Sequence, residues 1–293
     1  MAFNYLESLI KRKIANRTPI DKKISDYLVV ADDGVLTMTI TQLAHASGVS
    51  ETSIYKYVKK LGFTGYGDFK INLASNAARR QNAEQGITVL TDIKPNDQPI
   101  DIAQKVVQYN VALLHDFSDF IDADKLNKTL GLMYDAHSLT FIGQSGSSAI
   151  AFDSYHKFLR SKYPCNYIFD YHIQLSYATK LGPDDVVFLF SHSGVTKETI
   201  AVGKQLLKSG AKIITLTGSP ASPLIQLSDV SFVLFTEEVA AKAESISSKI
   251  LYTTLTDILF LNLMFHDEKA NQAATQKIRN ALSITRAGIN TDK

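Results

Sequence analysis

Five short apolar runs alternate with helical patterns between residues 138 and 235, and this alternation limits the possible folds more than any other feature of the chain. The third run, with five consecutive apolar residues at 186–190, is typical of a strand buried on both faces. Strands that alternate with helical crossovers predict an α/β fold, a doubly wound parallel sheet covered by helices on both faces. The predicted strands are 138–143, 166–170, 186–191, 212–217 and 231–235, and the helical patterns between them lie near 147–161, 171–181, 196–209 and 221–227.

Hydroxyl-rich turns follow the first and the third of these strands, and each runs into a helical pattern. In the common strand order 2-1-3-4-5 the first and third strands are neighbours, and ligands bind beyond their carboxyl ends. Both turns would then line one crevice. Hydroxyls, together with free backbone N–H groups at a helix start, bind anions. The nucleotide-binding pattern GxxxxGK[ST] is absent, so a single phosphate on a small molecule fits better than a nucleoside triphosphate.

An ordinary helix cap followed by a loop is the commoner use of Ser and Thr in a single turn of this kind, and it is the pair of turns that favours a phosphate site. His192, in the middle of the second turn, could contact a ligand or simply be an exposed loop residue. Glu244, near the start of a long apolar helical pattern at 242–265, would face either the crevice or a partner subunit. The candidate ligand-binding residues are Gly143, Gln144, Ser145, Ser191, His192, Ser193, Gly194, Thr196 and Glu244.

The first eighty residues are more basic than the remainder, with 12 Lys and Arg against 7 Asp and Glu, compared with 19 against 22 in the rest of the chain. A short helix containing Leu43 runs into a turn at Gly48, and Ser50 then caps a second helix over 51–61. Two short helices joined by a glycine-containing turn predict a helix-turn-helix, whose second helix enters the major groove of DNA. The alternative is a helical hairpin used only for packing.

Exposed side chains on this second helix combine hydroxyls, an aromatic ring and Lys56, which can approach base edges, with Lys59 and Lys60, which suit phosphates. Glu51 suits the positive end of the helix dipole rather than a DNA backbone. The candidate DNA-binding residues are Thr41, Ser50, Thr52, Ser53, Tyr55, Lys56, Lys59 and Lys60.

The chain of 293 residues has one cysteine, Cys165, which excludes a disulfide framework and is expected to be a buried thiol. The N-terminus lacks the apolar core of a signal peptide, and no apolar run reaches the length of a membrane span, so we expect a cytoplasmic protein. The expected organisation is a helix-turn-helix domain over 1–80, a linker over 81–100, a sheet domain over 101–270 and a polar, partly disordered tail over 271–293.

The two halves together resemble the RpiR family of bacterial transcriptional regulators. The resemblance rests on the segments 40–50 and 57–63 and on the turns Gly143–Gly146 and Ser191–Thr196. It implies an all-α helix-turn-helix domain followed by a five-stranded sugar-isomerase (SIS) domain that binds a phosphosugar. Carried over by position, Ser145, Ser191, Ser193 and Thr196 match the family's phosphate-binding hydroxyls.

Two positions depart from the family pattern. Lys56 replaces the usual arginine, which weakens a bidentate contact with guanine or phosphate. Phe141 replaces the first glycine of GxGxS, and a side chain there is expected to narrow the crevice beside Ser145.

Two functions from different classes therefore compete. In the first, the protein regulates carbohydrate metabolism, binds double-stranded operator DNA as a homodimer or homotetramer, and responds to a phosphosugar. In the second, it is a phosphosugar isomerase or lyase that uses Glu244 and His192 as acid and base. A scaffold that has lost both ligands is a third, weaker reading. We favour the regulator and assign no catalytic residue, cofactor or metal ligand.

Overall fold

The computed structural model describes residues 17–83, 93–234 and 248–283, together with Leu6, Leu9, Ile10, Lys13 and Ile14. These residues form two compact units, and the boundary between the two units in the sequence lies between Ser118 and Asp119. Across the described ranges, every helix is too short or too polar to cross a membrane.

Helices make up the first unit, and capping residues fix where they begin and end. Thr39 and Gln42 cap each other reciprocally at the start of the first helix of the helix-turn-helix, and Gly48 ends it with a left-handed φ of 65°. Ser50 accepts from the amide of Ser53 and caps the second helix. The described elements are α1 (Pro19–Ala31), a 3₁₀ helix (Asp32–Thr37), α2 (Ile40–Ser47), α3 (Glu51–Lys60), α4 (Tyr66–Ala83) and α5 (Pro99–Phe120). The predicted helix-turn-helix is α2 and α3.

Side chains of α3 anchor it to α1. Tyr57 is buried, and its hydroxyl lies 2.6 Å from the hydroxyl of Ser25 in α1. Burial raises the pKa of Tyr57 to about 12, so the phenol stays neutral. Lys60 forms an ion pair at 2.8 Å with the buried carboxylate of Asp21, which also caps α1 together with Thr18. Polar interactions as well as apolar packing therefore fix α3, the second helix of the helix-turn-helix and the predicted recognition helix, against α1.

A five-stranded parallel sheet with the order β2-β1-β3-β4-β5 forms the core of the second unit, which confirms the predicted doubly wound α/β fold. The strands are β1 (Ser138–Gly143), β2 (Cys165–Tyr167), β3 (Asp185–Ser191), β4 (Lys212–Thr217) and β5 (Val230–Val233). The helices are α6 (Ala123–Tyr134), α7 (Gly146–Phe158), α8 (Tyr171–Ala178), α9 (Lys197–Ser209), a 3₁₀ helix (Pro223–Leu227), α10 (Ser248–His266) and α11 (Glu268–Ser283).

The expectation that Phe141 narrows the crevice is wrong. Its ring is fully buried, with its centre 5.1 Å from that of Phe188 and 5.2 Å from that of Phe158. These three rings fill the core between the sheet and α7. Phe141 therefore contributes to packing and does not line an accessible surface.

The described elements differ from the expected domain boundaries at both ends of the sheet unit. Residues 99–118 of α5 group with the first unit, whereas the expected sheet domain began at residue 101. Helical periodicity alone does not show with which neighbour a helix will be grouped. Residues 271–283 of the expected polar tail belong to α11, in which Asn271 is fully buried, and residues 284–293 lie outside the described residues. The amide of Asn271 donates to the carbonyl of Leu263 and accepts from the backbone N–H of Lys162, so its polarity stabilises the packing.

Candidate functional site

The register of β1 and β3 brings the two hydroxyl-rich turns together. Gly143 at the end of β1 pairs with Phe190 of the neighbouring strand β3. The residues that follow, Gln144 just after β1 and Ser191 at the end of β3, are therefore neighbours, on strands about 4.8 Å apart. Each turn leads into the N-terminus of a helix, α7 or α9. Two partial positive charges from helix dipoles thus point toward one edge of the sheet.

The first turn is tight and strained. A Cβ on Gly143 would lie 2.5 Å from the carbonyl oxygen of Ser147, so only glycine allows α7 to approach the strand this closely. Ser145 has a φ of 48° and a ψ of −126°, a conformation that costs a non-glycine residue about 1–3 kcal/mol. Its side chain is exposed and does not cap α7. The turn therefore presents the Ser145 hydroxyl outward at a helix start.

In the second turn, three hydroxyls surround the start of α9. The Ser191 hydroxyl is buried and lacks a hydrogen-bond partner within the described part of the chain. Ser193 is exposed, and its oxygen lies 3.4 Å from the Thr196 hydroxyl. Thr196 occupies the cap position of α9, but its side chain makes no capping bond. Hydroxyls that do not cap their own helix are available to a bound anion.

A third loop, after β4, supports the second turn from behind, and sequence reasoning missed it. Ser222 donates a buried hydrogen bond of 2.8 Å to the carbonyl of Gly194. Gly194 has a φ of 70°, and a Cβ there would collide with Ser222 and Thr217. The only sequence signal was Ser222 before Pro223, the pattern of a cap, which the structure uses to start the 3₁₀ helix.

His192 is half-buried, and contacts with two other segments hold it in place. Its carbonyl accepts from the N–H of Gly218, and its Nδ1 lies 3.2 Å from the hydroxyl of Tyr252 in α10. A Cβ on Gly218 would lie 2.5 Å from the imidazole, so the ring fits closely against β4. The contact with Tyr252, 60 residues away in sequence, gives His192 a role in fixing the turn.

Gln144, between Gly143 and Ser145, is half-buried and donates a hydrogen bond from its side-chain amide to Gln174. Gln174 is fully buried in α8 and donates to the carbonyl of Ile168 at 2.7 Å. Gln174 also contacts the carbonyl of Phe169, at 3.4 Å. The strand β2 ends at Tyr167, three residues before the predicted end. Glu244, the remaining candidate, lies outside the described residues.

On the first unit, the candidate DNA-binding side chains form an exposed surface of α2 and α3. Thr41, Ser50, Thr52, Tyr55, Lys56, Lys59 and Lys60 are exposed, and Ser53 is half-buried. The ammonium of Lys59 lies 5.6 Å from the centre of the Tyr55 ring. Lys60 differs from Lys56 and Lys59 because Asp21 is its partner. Burial of Asp21 opposes its ionisation, but hydrogen bonds from Lys60 and Thr18 outweigh this and lower the pKa of Asp21 below its usual value.

Family models match both units. A model described as a helix-turn-helix domain of the rpiR family matches residues 4–80, and a SIS domain model matches residues 132–262. An uncharacterized HTH-type transcriptional regulator of Clostridium perfringens is 31% identical over 267 residues, covering 91% of this chain and 94% of that protein. The HTH-type transcriptional regulator RpiR of Escherichia coli is 28% identical over 267 residues, covering 91% and 88%.

Among solved structures, the chain is similar to the Vibrio vulnificus NanR protein complexed with ManNAc-6P. The TM-score is 0.60 at 23% identity, and the match covers 97% of this chain and 100% of that one. At this identity the likeness shows a shared fold.

Proposed function

The chain belongs to the RpiR family of helix-turn-helix transcriptional regulators with a SIS domain, and on that premise we propose that it binds operator DNA and responds to a phosphosugar at the paired turns. The observation that carries the proposal is the pairing of Gly143 with Phe190. It aligns two helix N-termini whose hydroxyls do not cap them. A phosphate would accept from Ser145, Ser191, Ser193 and Thr196, and the sugar would extend from it.

The NanR structure supports a phosphosugar ligand because that protein, which shares this fold, is complexed with ManNAc-6P. The buried Ser191 hydroxyl supports it independently. A buried hydroxyl without a partner is uncommon in native structures and gains a bond when an acceptor binds. Differential affinity of the phosphosugar for two arrangements of the protein would shift the fraction that binds DNA.

A thermal-shift screen of the full chain against sugar phosphates tests the effector site. A ligand that binds only the native state raises the melting temperature by mass action. Ser193→Ala should remove this shift, whereas the control Ser209→Ala, at the opposite end of α9, should retain it. A shift that survives in Ser145→Ala, Ser191→Ala and Ser193→Ala alike would place the ligand elsewhere.

For DNA binding, the proposal assigns phosphate contacts to Lys56 and Lys59 and base contacts to Thr52 and Tyr55. Helix-turn-helix proteins bind paired half-sites as two-fold dimers, so we propose that the active species is at least a homodimer that acts on DNA in the cytoplasm. Fluorescence anisotropy with DNA from its own promoter region should show specific binding that weakens steeply with salt. Folded protein that binds no promoter fragment at low salt would contradict the proposal.

We propose that the phosphosugar is an effector and is not turned over. His192, a residue considered for acid–base chemistry, is bonded to Tyr252 and packed against Gly218, which supports a structural role. Incubation with aldose and ketose phosphates should give no isomerisation. Turnover that disappears in Glu244→Gln would instead establish the isomerase alternative.

A further inference from the structure

We infer that Gln144 recognises a hydroxyl group of the bound sugar and that Gln174 is the positioning residue that sets the direction of its amide. The inference rests on the proposed phosphosugar site and concerns the sugar rather than the phosphate. Gln144 follows Gly143, which pairs with Phe190 of β3, and it directly precedes Ser145, one of the serines that would hold the phosphate.

The direction of the Gln174 amide follows from its partners. Its Nε2 lies 2.7 Å from the carbonyl oxygen of Ile168 and 3.4 Å from that of Phe169. Carbonyl oxygens only accept hydrogen bonds, so the nitrogen of Gln174 must face them and its Oε1 must face the opposite way. Because Gln174 is fully buried, the amide cannot reverse without leaving two carbonyls opposite an oxygen.

The direction of the Gln144 amide follows in turn. The Oε1 of Gln174 accepts a hydrogen bond, and therefore the Gln144 group that meets it must be the Nε2 donor. This leaves Oε1 of Gln144, which finds no protein partner among the described residues, as an acceptor on a half-buried side chain beside Ser145. A sugar hydroxyl is the donor that such an acceptor selects, whereas a phosphate at neutral pH offers mainly acceptors.

Binding to two probes separates the sugar contact from the phosphate contact. Calorimetric titration of the full chain uses inorganic phosphate and, as the second probe, whichever hexose 6-phosphate or pentose 5-phosphate stabilises the protein most. Gln144→Leu should weaken binding of the sugar phosphate about tenfold, because one hydrogen bond is lost, and should leave the affinity for inorganic phosphate unchanged. Gln276→Leu, which replaces an exposed glutamine of α11, is the matched control and should change neither affinity.

The outcomes distinguish this inference from the proposed function. If the wild-type protein binds neither probe, the phosphosugar site itself is wrong. If the wild-type protein binds the sugar phosphate and Gln144→Leu binds it equally well, only the role of Gln144 is wrong. An equal loss for both probes also overturns the inference, because it would place Gln144 in the phosphate contact.

A double-mutant comparison tests the positioning role of Gln174. Gln174→Met should weaken binding of the sugar phosphate in the wild-type background and should have no further effect on binding in the Gln144→Leu background. Equal losses in both backgrounds would show a merely structural role. If Gln174→Met does not fold, Gln174→Glu replaces it. Burial beside two carbonyls favours the protonated acid, whose single O–H can donate to the carbonyl of Ile168 while its other oxygen accepts from Gln144; only the 3.4 Å contact with the carbonyl of Phe169 is lost. The Gln174→Glu variant should keep the wild-type ratio of the affinities for the sugar phosphate and inorganic phosphate. A folded variant in which the affinity for the sugar phosphate falls relative to that for inorganic phosphate would overturn the positioning role of Gln174.

Discussion

Replacing Gly194 with alanine tests whether the loop after β4 supports the second turn. The φ of Gly194 is 70°, and an added Cβ would lie 2.4 Å from both Cβ and Oγ of Ser222 and 2.8 Å from Oγ1 of Thr217. These atoms belong to short side chains that cannot swing away, so the loop itself must move. The hydrogen bond from Ser222 to the carbonyl of Gly194 would then lengthen or break.

Three costs combine in this variant. A left-handed φ costs an L-residue about 1–2 kcal/mol, overpacking costs about 1–3 kcal/mol, and a lost hydrogen bond costs about 1 kcal/mol. Because relief of the clash and loss of the bond overlap, we expect Gly194→Ala to lower the unfolding free energy of the sheet unit by about 3 kcal/mol. For a unit of this size, that corresponds to a fall in melting temperature of about 6–12 °C.

Gly210→Ala is the matched control. Gly210 has a similar φ of 81°, but only the Cδ of Pro183, at 4.0 Å, lies near its missing Cβ. The control therefore carries the backbone cost alone, about 1 kcal/mol after the entropy that alanine removes from the unfolded chain. Urea and thermal unfolding by circular dichroism compare the two. Equal destabilisation of the two variants would refute the packing argument. Ser222→Gly added to Gly194→Ala should recover the part of the lost unfolding free energy that comes from the clash with Ser222.

The remaining predictions concern the recognition helix, an acid-sensitive ion pair and the first turn. Lys59→Ala should weaken DNA binding across sequences and reduce the salt slope by about one, whereas Lys60→Ala should mainly lower the stability of the first unit, measured by thermal unfolding. The lowered pKa of Asp21 gives stability that is complete above its unfolded value of about 3.9 and is lost as pH falls through the folded value; melting temperatures from pH 7 to pH 3 should therefore fall more steeply in the wild type than in Asp21→Asn. Gly143→Ala places a Cβ 2.5 Å from the backbone oxygen of Ser147 and should cost about 3 kcal/mol and abolish the phosphosugar-induced thermal shift.

Local patterns in the sequence were sufficient to predict the sheet and the adjacency of the two hydroxyl-rich turns. Two strands, Ser138–Gly143 and Lys212–Thr217, have the predicted bounds, because continuous apolar runs between turn residues have few alternatives in an α/β chain. The observed strand order is the common order of doubly wound sheets that was expected. Once strands one and three are neighbours, the adjacency of the two turns needs no further information.

The support behind the turns could not be predicted, because it comes from residues that are distant in sequence and ordinary in type. Gln174 is 30 residues from Gln144, and Ser222 is 28 residues from Gly194. A glutamine in a helix or a serine before a proline is normally assigned to solvent or to a local cap. Composition misled in the same way at Asn271, whose burial depends on carbonyls and amides of other segments.

The kinds of donor in the two turns determine what the site can select. Neither turn contains lysine or arginine, and the exposed Lys197 that follows is next to Glu198, which offsets its charge. Within the described residues, an anion at the proposed site would be held by hydroxyls and helix N-termini rather than by a lysine or arginine of either turn, so phosphate alone would contribute only part of the affinity. The difference between one sugar phosphate and another must then come from polar groups beside the turns whose direction is fixed in advance. Gln144, oriented through Gln174 by the carbonyl of Ile168, is such a group.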